Sequence, residues 1–305
     1  MATARVAVRV QPSPPRRKWR RPRPSSDLAG RYRADGPLAR AVCFGARCLA
    51  VRQSRRMSRK GKPAAPRHGI ARVLSKRGLC SRSEAERLVR AGRVRIDGRV
   101  VSDPECPLDL DHPGVEVDGE PVFAAAHRYL MLNKPRGLVT TVRDERGRET
   151  VYRCFDDDPP LGWISPVGRL DKASEGLLLF SSDPAWAAQI TDPRSGPAKT
   201  YHVQVDTLPD AALLQRLQAG TEDNGEWLSV AAARVLRQGQ RNAWLELSLD
   251  EGRNRQIRRL LAALDINVLR LVRVSIGSVG LGDLPKGQWR PLTAAEIQAL
   301  SGEAR

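Results

Sequence analysis

The amino-acid sequence predicts an α+β fold in which two domains follow a basic extension. Residues 1–66 show no sustained helical or strand periodicity, and residues 67–125 combine two short helical patterns with two hairpin turns. Residues 126–303 contain several strand patterns with helices interspersed among them. Strands and helices that mix without strict βα alternation are typical of the α+β class. The sequence therefore predicts a small α/β module in front of a larger, strand-rich domain.

The positive charge of the chain is concentrated near its amino-terminal end. The 305 residues carry a formal charge of +18. Residues 1–67 hold 19 Lys and Arg and two acids, a net +17, whereas residues 68–305 hold 33 basic and 32 acidic residues, a net +1. A nonspecific basic nucleic-acid-binding protein would carry its charge throughout the folded part. The sequence therefore disfavours that class.

The extension, residues 1–66, is predicted to be disordered because it is rich in Arg, Pro, Ser and Ala. One interpretation is a basic arm that contacts nucleic-acid phosphates without sequence specificity. A second is that translation starts at Met57, where the run Met57–Lys62 would form a short basic leader. The intact mass of the protein from its native cell distinguishes the two.

The small module, residues 67–125, is predicted to contain two helices followed by hairpins. Ile70, Val73 and Leu74 have helical spacing, and a second helix is expected over 84–91 with Ser81 or Ser83 as its cap. Asp-Gly pairs at 97–98 and 118–119 lie between apolar residues, which is a strong hairpin signal.

A basic face is predicted on this module. Residues 72–99 hold nine basic residues and three acids, a net +6, whereas residues 100–126 hold seven acids and no Lys or Arg. Such a polarised surface favours a contact with nucleic acid over an ordinary solvated helix face, where the signs usually mix. The candidate RNA-binding residues are Arg72, Lys76, Arg77, Arg82, Arg87, Arg90 and Arg93.

The larger domain, residues 126–303, is predicted to alternate strands and helices irregularly. Strand patterns cover residues 129–132, 176–180, 200–205, 228–236, 244–249 and 268–276. Helical patterns cover residues 211–217, 253–264 and 294–300. In the third strand Tyr201, Val203 and Val205 lie on one face, so this strand is predicted to be half buried. Residues 156–160 are predicted to form a solvated loop.

Cysteine and histidine spacing gives no sign of a disulfide framework or a metal site. The five cysteines form no C-x-x-C pair, and the four histidines are scattered. No apolar run approaches the roughly 20 residues that a membrane helix needs. The sequence therefore predicts a reduced, cytoplasmic protein without a metal site and without a membrane anchor.

Four polar motifs follow one another in the larger domain. In chain order they are Lys134-Pro135-x-Gly137, Gly168-Arg169-Leu170-Asp171, Lys199-Thr200-Tyr201 and the run Glu251–Arg259. The second motif leads into an apolar strand, so Asp171 would stand on a rigid support, as catalytic groups usually do. Taken alone, that motif favours a surface turn in which the Asp is a local cap. The ordered set is more specific than any one motif.

This ordered set resembles the signature of the pseudouridine synthases that modify bacterial ribosomal RNA. Residues 70–98 resemble the S-four-type (S4) RNA-binding domain, which accompanies one branch of that family. The resemblance implies a catalytic domain with a mixed, largely antiparallel sheet and a central cleft. It also implies no cofactor, because the reaction gains and loses no atoms. The expected partner is ribosomal RNA or a pre-ribosomal particle, and a monomer is expected.

The resemblance also assigns site residues. Asp171 matches the catalytic Asp, Tyr201 the aromatic residue that stacks on the uracil, and Arg258 the basic residue that keeps the Asp ionised and oriented. Arg255 is the alternative partner, three residues away on the same helix. The expected substrate-binding residues are Arg169, Leu178, Lys134 and Arg255, of which Leu178 would be an apolar wall of the pocket.

Alternatives to the leading hypothesis concern the substrate and the activity. Large-subunit ribosomal RNA is favoured as the substrate, and small-subunit ribosomal RNA is the alternative. A protein with the same fold and an inert pocket would be a ribosome-assembly factor, but the intact Asp171, Tyr201 and Arg258 argue against it. The basic loop residues Arg136, Arg143, Arg146 and Arg148 are either phosphate contacts or part of a solvated loop.

Overall fold

The computed structural model describes residues 67–124, 126–142, 144–156 and 162–302. The predictions made for residues 1–66, including the translation start at Met57, lie outside the described residues. Most of the loop predicted at 156–160 lies outside them as well. Among the described helices, none has the length and hydropathy needed to cross a membrane.

The small module has two helices and six short strands. The helices are α1 (Ile70–Lys76) and α2 (Arg82–Arg90). The strands are β1 (His68–Gly69), β2 (Val94–Ile96), β3 (Arg99–Val101), β4 (Pro107–Leu108), β5 (Val115–Val117) and β6 (Glu120–Pro121). Ser81 caps α2, because the Glu84 amide donates to Ser81 Oγ at 3.1 Å. The predicted helices are confirmed.

Both predicted hairpins of the module are also confirmed. The β2–β3 and β5–β6 pairs are antiparallel and turn at Asp97-Gly98 and Asp118-Gly119. In each turn both residues have positive φ, 49° and 76° in the first and 55° and 85° in the second. Tight hairpin turns of this kind need left-handed backbone at both central positions, which Asp and Gly tolerate.

The prediction that Arg77 binds RNA is wrong. Its side chain is 4% exposed, so it lies inside the module rather than on an RNA-binding face. The guanidinium donates to the carbonyls of Leu110 (2.9 Å from Nη2), Val122 (2.6 Å) and His112. A buried cation needs such acceptors, and here they join α1 to the polar segment after β4 and to the end of the module. The charge of Arg77 in the sequence carried no information about this burial.

In its described residues the larger domain contains four helices, a short 3₁₀ helix and the remaining strands. The helices are α3 (Pro184–Thr191), α4 (Ala211–Ala219), α5 (Gln256–Ala262) and α6 (Ala294–Gly302), and the 3₁₀ helix is Val151–Phe155. The strands before α4 are β7 (Tyr129–Lys134), β8 (Ser165–Val167), β9 (Glu175–Ser181) and β10 (Lys199–Val205). The later strands are β11 (Thr221–Asp223), β12 (Glu226–Leu228), β13 (Ala232–Gln238), β14 (Ala243–Leu249), β15 (Val268–Ile276), β16 (Val279–Gly280) and β17 (Trp289–Pro291).

The main sheet is mixed and largely antiparallel, as predicted. Its strands follow the order β13-β14-β10-β15-β9-β7-β17, and β8 and β16 pair with β9 and β15. Only the β15–β9 pair is parallel among the described strands. At this pair Gly176 lies opposite Arg273, and a Cβ on Gly176 would stand 2.2 Å from the Arg273 carbonyl oxygen. Glycine is therefore required for the close approach of β9 to β15.

The strand β9 is buried on both faces, which explains its continuous apolar run. One face packs with β10, β14 and α5, and the other packs under α3 and α6. Asp183 caps α3 by accepting hydrogen bonds from the amides of Ala185 (2.9 Å) and Trp186 (3.2 Å). This helix was not predicted, although an Asp cap followed by Pro184 is a helix-start signal.

Two predicted elements have different bounds in the structure. The strand predicted over 228–236 is two strands, because β12 ends at Leu228 and β13 begins at Ala232. The helix predicted over 253–264 begins only at Gln256, because Arg255 has a left-handed backbone with φ 50°. The first three residues of the predicted helix are thus an irregular segment beside the sheet.

Candidate active site

A cavity of about 390 Å³ opens where three parts of the larger domain meet. The loop from Gly168 to Ser174 forms one side, and the segment from Glu251 to Arg258 forms another. The strands β10 and β15 contribute the third side, and residues 190–193 at the end of α3 and Leu249 of β14 complete the lining. The second, third and fourth sequence motifs are thus brought together in one cavity, although they lie up to 90 residues apart in the sequence.

Asp171 and Arg258 face each other across this cavity. Arg258 Nε lies 3.8 Å from Asp171 Oδ2, and the two side chains are 15% and 35% exposed. Arg258 Nη2 also donates to the carbonyl of Ala173 at 3.3 Å. Burial lowers the pKa of Arg258, and the carboxylate of Asp171 offsets part of that effect. The Nε atom of Arg258 is buried and has no hydrogen-bond partner among the described residues, so its orientation depends on the charge of Asp171.

The backbone of the Asp171 loop is held at several points. The Ser174 amide donates to the Asp171 carbonyl at 3.0 Å, and the Gly137 amide donates to the Lys172 carbonyl at 2.8 Å. Thr140 Oγ1 donates to the Leu170 carbonyl at 2.7 Å and lies 3.3 Å from the Leu170 amide. The loop that carries Asp171 is therefore fixed by the segment that contains the first motif.

Lys134 was predicted to bind substrate, and the structure corrects this. The side chain is fully buried. Its ammonium group donates to the carbonyls of Pro135 (3.2 Å), Asp171 (3.1 Å) and Ser174 (2.9 Å). Burial lowers the pKa of Lys134 to about 8. Lys134 thus supports the Asp171 loop from beneath and cannot reach a molecule in the cavity.

Tyr201 lines the cavity, whereas Leu178, which was predicted to be one of its apolar walls, does not. Tyr201 is 8% exposed and belongs to β10, next to β15. Leu178 is fully buried in the core beneath the cavity, because β9 is covered on both faces. The apolar walls come instead from Leu170, Leu249 and Leu271.

Arg169 and Arg255 are exposed residues of the cavity lining, on its loop side and its helix side. A second cavity of about 480 Å³ adjoins the first and shares Arg169, Leu170 and Asp171 with it. The far side of this second cavity includes Arg148, which is paired with Asp144 (Nη2 to Oδ1, 2.6 Å). The hydrogen bonds from Arg148 lower the pKa of Asp144 to about 2.

The remaining basic residues predicted to bind RNA lie on the surface of the small module. Arg72 is exposed, and Lys76 Nζ lies 3.1 Å from His68 Nε2. The other arginines form ion pairs on or near α2: Arg82 with Glu86 and Glu105, Arg87 with Glu84, Arg90 with Glu86, and Arg93 with Asp118. Exposed pairs contribute only about 0–1 kcal/mol each, so phosphate oxygens can replace these carboxylates.

Three residues of the site were missed from the sequence. Thr140 binds the Asp171 loop, and Lys199 and Arg273 line the main cavity. The strand periodicity offered a signal for Lys199, because residues 199 and 201 of β10 share a face. Nothing local indicated Arg273, which reaches the cavity only through the pairing of β15 with β10. No group of three His, Cys, Asp or Glu residues suited to a metal ion occurs among the described residues.

Comparison with known proteins gives consistent matches. The family model for RNA pseudouridylate synthase matches residues 128–263, and the S4 domain model matches residues 69–112. An uncharacterized RNA pseudouridine synthase of Aquifex aeolicus is 36% identical over 232 residues, which cover 76% of this chain and 92% of that protein. Ribosomal large subunit pseudouridine synthase B of Bacillus subtilis is 32% identical over 236 residues, which cover 76% and 94% of the two chains.

One solved structure is similar throughout its length. The crystal structure of a pseudouridylate synthase superposes with a TM-score of 0.54 at 30% sequence identity. The match covers 77% of this chain and all of that chain. The two chains therefore share their fold over the whole length of the solved structure.

Proposed function

The chain belongs to the RNA pseudouridylate synthase family, and from this premise we propose that it isomerises a uridine of large-subunit ribosomal RNA, with Asp171 as the catalytic residue. The proposal rests above all on one observation: Arg258 Nε lies 3.8 Å from Asp171 Oδ2 in a cavity that Tyr201 also lines. The large subunit is proposed because the Bacillus subtilis relative is named for it.

The reaction breaks the bond from ribose C1′ to N1 of uracil and forms a bond from C1′ to C5. No atom is gained or lost overall, so the chain's own residues can carry the chemistry. The Asp171 carboxylate acts at the sugar, either as a nucleophile or as a proton acceptor. Arg258 keeps this carboxylate ionised and aimed, because an opposite charge nearby favours the charged form.

The detached base must turn without leaving the cavity. Tyr201 provides a ring on which the base stacks, an interaction of about 1–3 kcal/mol per base. The leucines at 170, 249 and 271 exclude water from the other sides. Water exclusion matters because it strengthens every electrostatic contact within the cavity.

The target uridine must first leave its helix, which costs a few kcal/mol. Arg169 and Arg255 are exposed at the cavity and can meet the phosphates that flank the target. The S4 domain adds a second RNA contact through Arg72 and the paired arginines of α2. Specificity for one uridine would arise from both contacts together.

The test uses ribosomal RNA transcripts labelled with tritium at C5 of uracil, because isomerisation releases that hydrogen. Large- and small-subunit transcripts are incubated separately with the wild type and with Asp171→Asn. We expect tritium release from the large-subunit transcript with the wild type and none with Asp171→Asn, while RNA binding persists. Release by the variant would overturn the role of Asp171, and release only from the small-subunit transcript would overturn the proposed substrate.

A further inference from the structure

Two cations in the inner wall of the main cavity make no direct ion pair with a described residue. Lys199 is half-buried and Arg273 is 5% exposed, and both line the cavity. Neither makes an ion pair with a residue that the structure describes, whereas Arg258 is paired with Asp171 and Arg253 with Glu251. Burying an unpaired cation is costly, which suggests that these charges serve a bound molecule.

The sheet fixes both cations beside the ring of Tyr201. In the β10–β15 ladder Tyr201 is the partner of Arg273, so their side chains stand on the same face of the sheet. Lys199 is two residues before Tyr201 on the same strand and therefore shares that face. We call Lys199 and Arg273 the cationic floor.

A hydrogen bond to the backbone of β9 holds the Arg273 side chain in place. Arg273 Nε donates to the Leu177 carbonyl at 2.7 Å, and its Nη2 atom is buried with no hydrogen-bond partner among the described residues. Burial lowers the pKa of Lys199, and the charge of Arg273 lowers it further, while Asp250 offsets part of the effect. The two cations are thus close enough to repel each other in the absence of a ligand.

The residues of the cationic floor differ from the other cations of the cavity in where they lie in the fold. Arg169 and Arg255 are exposed and belong to irregular segments, where RNA phosphates can approach. Lys199 and Arg273 belong to strands of the sheet and are less exposed than Arg169 and Arg255. This position favours a contact with the base of the bound nucleotide over a contact with its phosphates.

We propose that Lys199 and Arg273 stabilise the negative charge that uracil carries while its bond to the ribose is broken. This inference rests on the proposed function. When the C1′–N1 bond breaks, its electron pair stays on N1, and the charge spreads to the carbonyl oxygens O2 and O4. After rotation C1′ bonds to C5, the C5 proton is lost and N1 gains a proton, so atoms and electrons balance without a co-reactant.

The cationic floor acts where charge develops, and such an interaction speeds the chemical step more than it strengthens binding. Two nearby cations stabilise neutral uracil in the Michaelis complex only slightly. They stabilise the uracil anion strongly, because charges interact more strongly in a cavity that contains little water. Loss of one cation should therefore lower the rate of the bound complex and leave the affinity for RNA nearly unchanged.

The experiment compares Lys199→Met, Lys199→Arg and wild type under single-turnover conditions with saturating enzyme. The substrate is a large-subunit ribosomal RNA transcript with either uridine or 5-fluorouridine at the modified position, and conversion is measured as loss of the parent nucleoside by chromatography after digestion. The C5 atom of 5-fluorouridine carries fluorine and no proton, so its reaction stops once C1′ has bonded to C5. Fluorine withdraws electrons and stabilises the uracil anion. Arg241→Met, which removes an exposed cation from the loop between β13 and β14, is the matched control.

We expect Lys199→Met to slow conversion of uridine about 10- to 100-fold, to slow conversion of 5-fluorouridine distinctly less, and to change the Kd for RNA less than twofold. Lys199→Arg should recover most of the rate, and Arg241→Met should match wild type. Equal slowing on both substrates, or a weaker Kd with an unchanged rate, would overturn the role of the cationic floor. An inactive wild type would instead overturn the proposed function, so the two claims fail separately.

Discussion

The ammonium group of Lys134 donates a hydrogen bond of 3.1 Å to the backbone carbonyl of Asp171. The same group also binds the carbonyls of Pro135 and Ser174, so one buried cation holds both ends of the short turn after Asp171. A substrate contact was expected from the sequence. The structure gives Lys134 a supporting position, and this has consequences for stability.

Titration of Lys134 should make the stability of the fold depend on pH. Its pKa is about 8 in the folded protein and about 10.5 in the unfolded chain. Between these values the unfolded chain binds more protons than the folded protein, so the free energy of unfolding rises with pH from about 8 to 10.5 as the buried ammonium group loses its charge. The full change is on the order of 3 kcal/mol. Denaturant unfolding of the wild type and Lys134→Met from pH 7 to 10.5 measures it as a growing difference, and parallel curves would contradict it.

Thr140 is expected to position Asp171 without touching the substrate. Thr140→Val keeps the shape of the side chain and removes the hydroxyl that binds Leu170. We expect kcat to fall about tenfold, because small displacements of a catalytic group are costly, while the KM for RNA stays within twofold. Thr140→Ser should retain most of the activity. A normal kcat in Thr140→Val would show that the Leu170 contact is dispensable.

Arg77 and Arg72 should behave oppositely although Arg72 belongs to α1 and Arg77 follows directly after it. Arg77→Met leaves up to three carbonyl groups without a donor, at about 1–3 kcal/mol for each buried group. We therefore expect a clear loss of stability, which thermal unfolding measures. Arg72→Met removes an exposed charge and should leave the melting temperature within about 2 °C.

The same two variants should differ in RNA binding. If Arg72 contacts a phosphate, Arg72→Met reduces the slope of log K against log salt concentration by about one. A titration of binding at several salt concentrations gives that slope. An unchanged slope would remove Arg72 from the RNA contact.

Gly176→Ala should disrupt the centre of the sheet. The new Cβ would stand 2.2 Å from the Arg273 carbonyl oxygen, and the backbone φ of 102° is strained for any side chain. We expect a loss of at least about 3 kcal/mol in the free energy of unfolding. Gly280→Ala is the control, because its Cβ meets no atom within 4 Å. Equal stability of the two variants would contradict this account of the β9–β15 approach.

Sequence reasoning worked where periodicity or turn chemistry is local. The Asp-Gly hairpins, the Ser81 cap and the buried strand β9 follow from patterns of a few residues. Ordered motifs were enough to bring Asp171, Tyr201 and Arg258 into one cavity. The burial of Lys134 and Arg77 was not predictable, because charge in a sequence does not reveal which carbonyl groups surround it.

Long-range pairing accounts for the other omissions. Arg273 faces the cavity only because β15 lies between β10 and β9, a placement that no local pattern encodes. Leu178 was assigned to the cavity by the resemblance to the family. In the structure that strand is covered on both faces. Its successive side chains therefore point in turn into two different hydrophobic cores, and neither set faces the cavity.

The position of β15 in the sheet determines when, during synthesis of the chain, the active site can form. Among the described strands, β15 alone joins β13, β14 and β10 to β9, β7 and β17. Asp171 precedes β9, and Tyr201 belongs to β10, so each half of the sheet carries one part of the site. A nascent chain that ends before Val268 already contains Asp171, Tyr201 and Arg258, yet it lacks the strand that brings the halves together. Contacts so distant in sequence form late in folding. The growing chain is therefore inactive until β15 (Val268–Ile276) has left the ribosome that makes it.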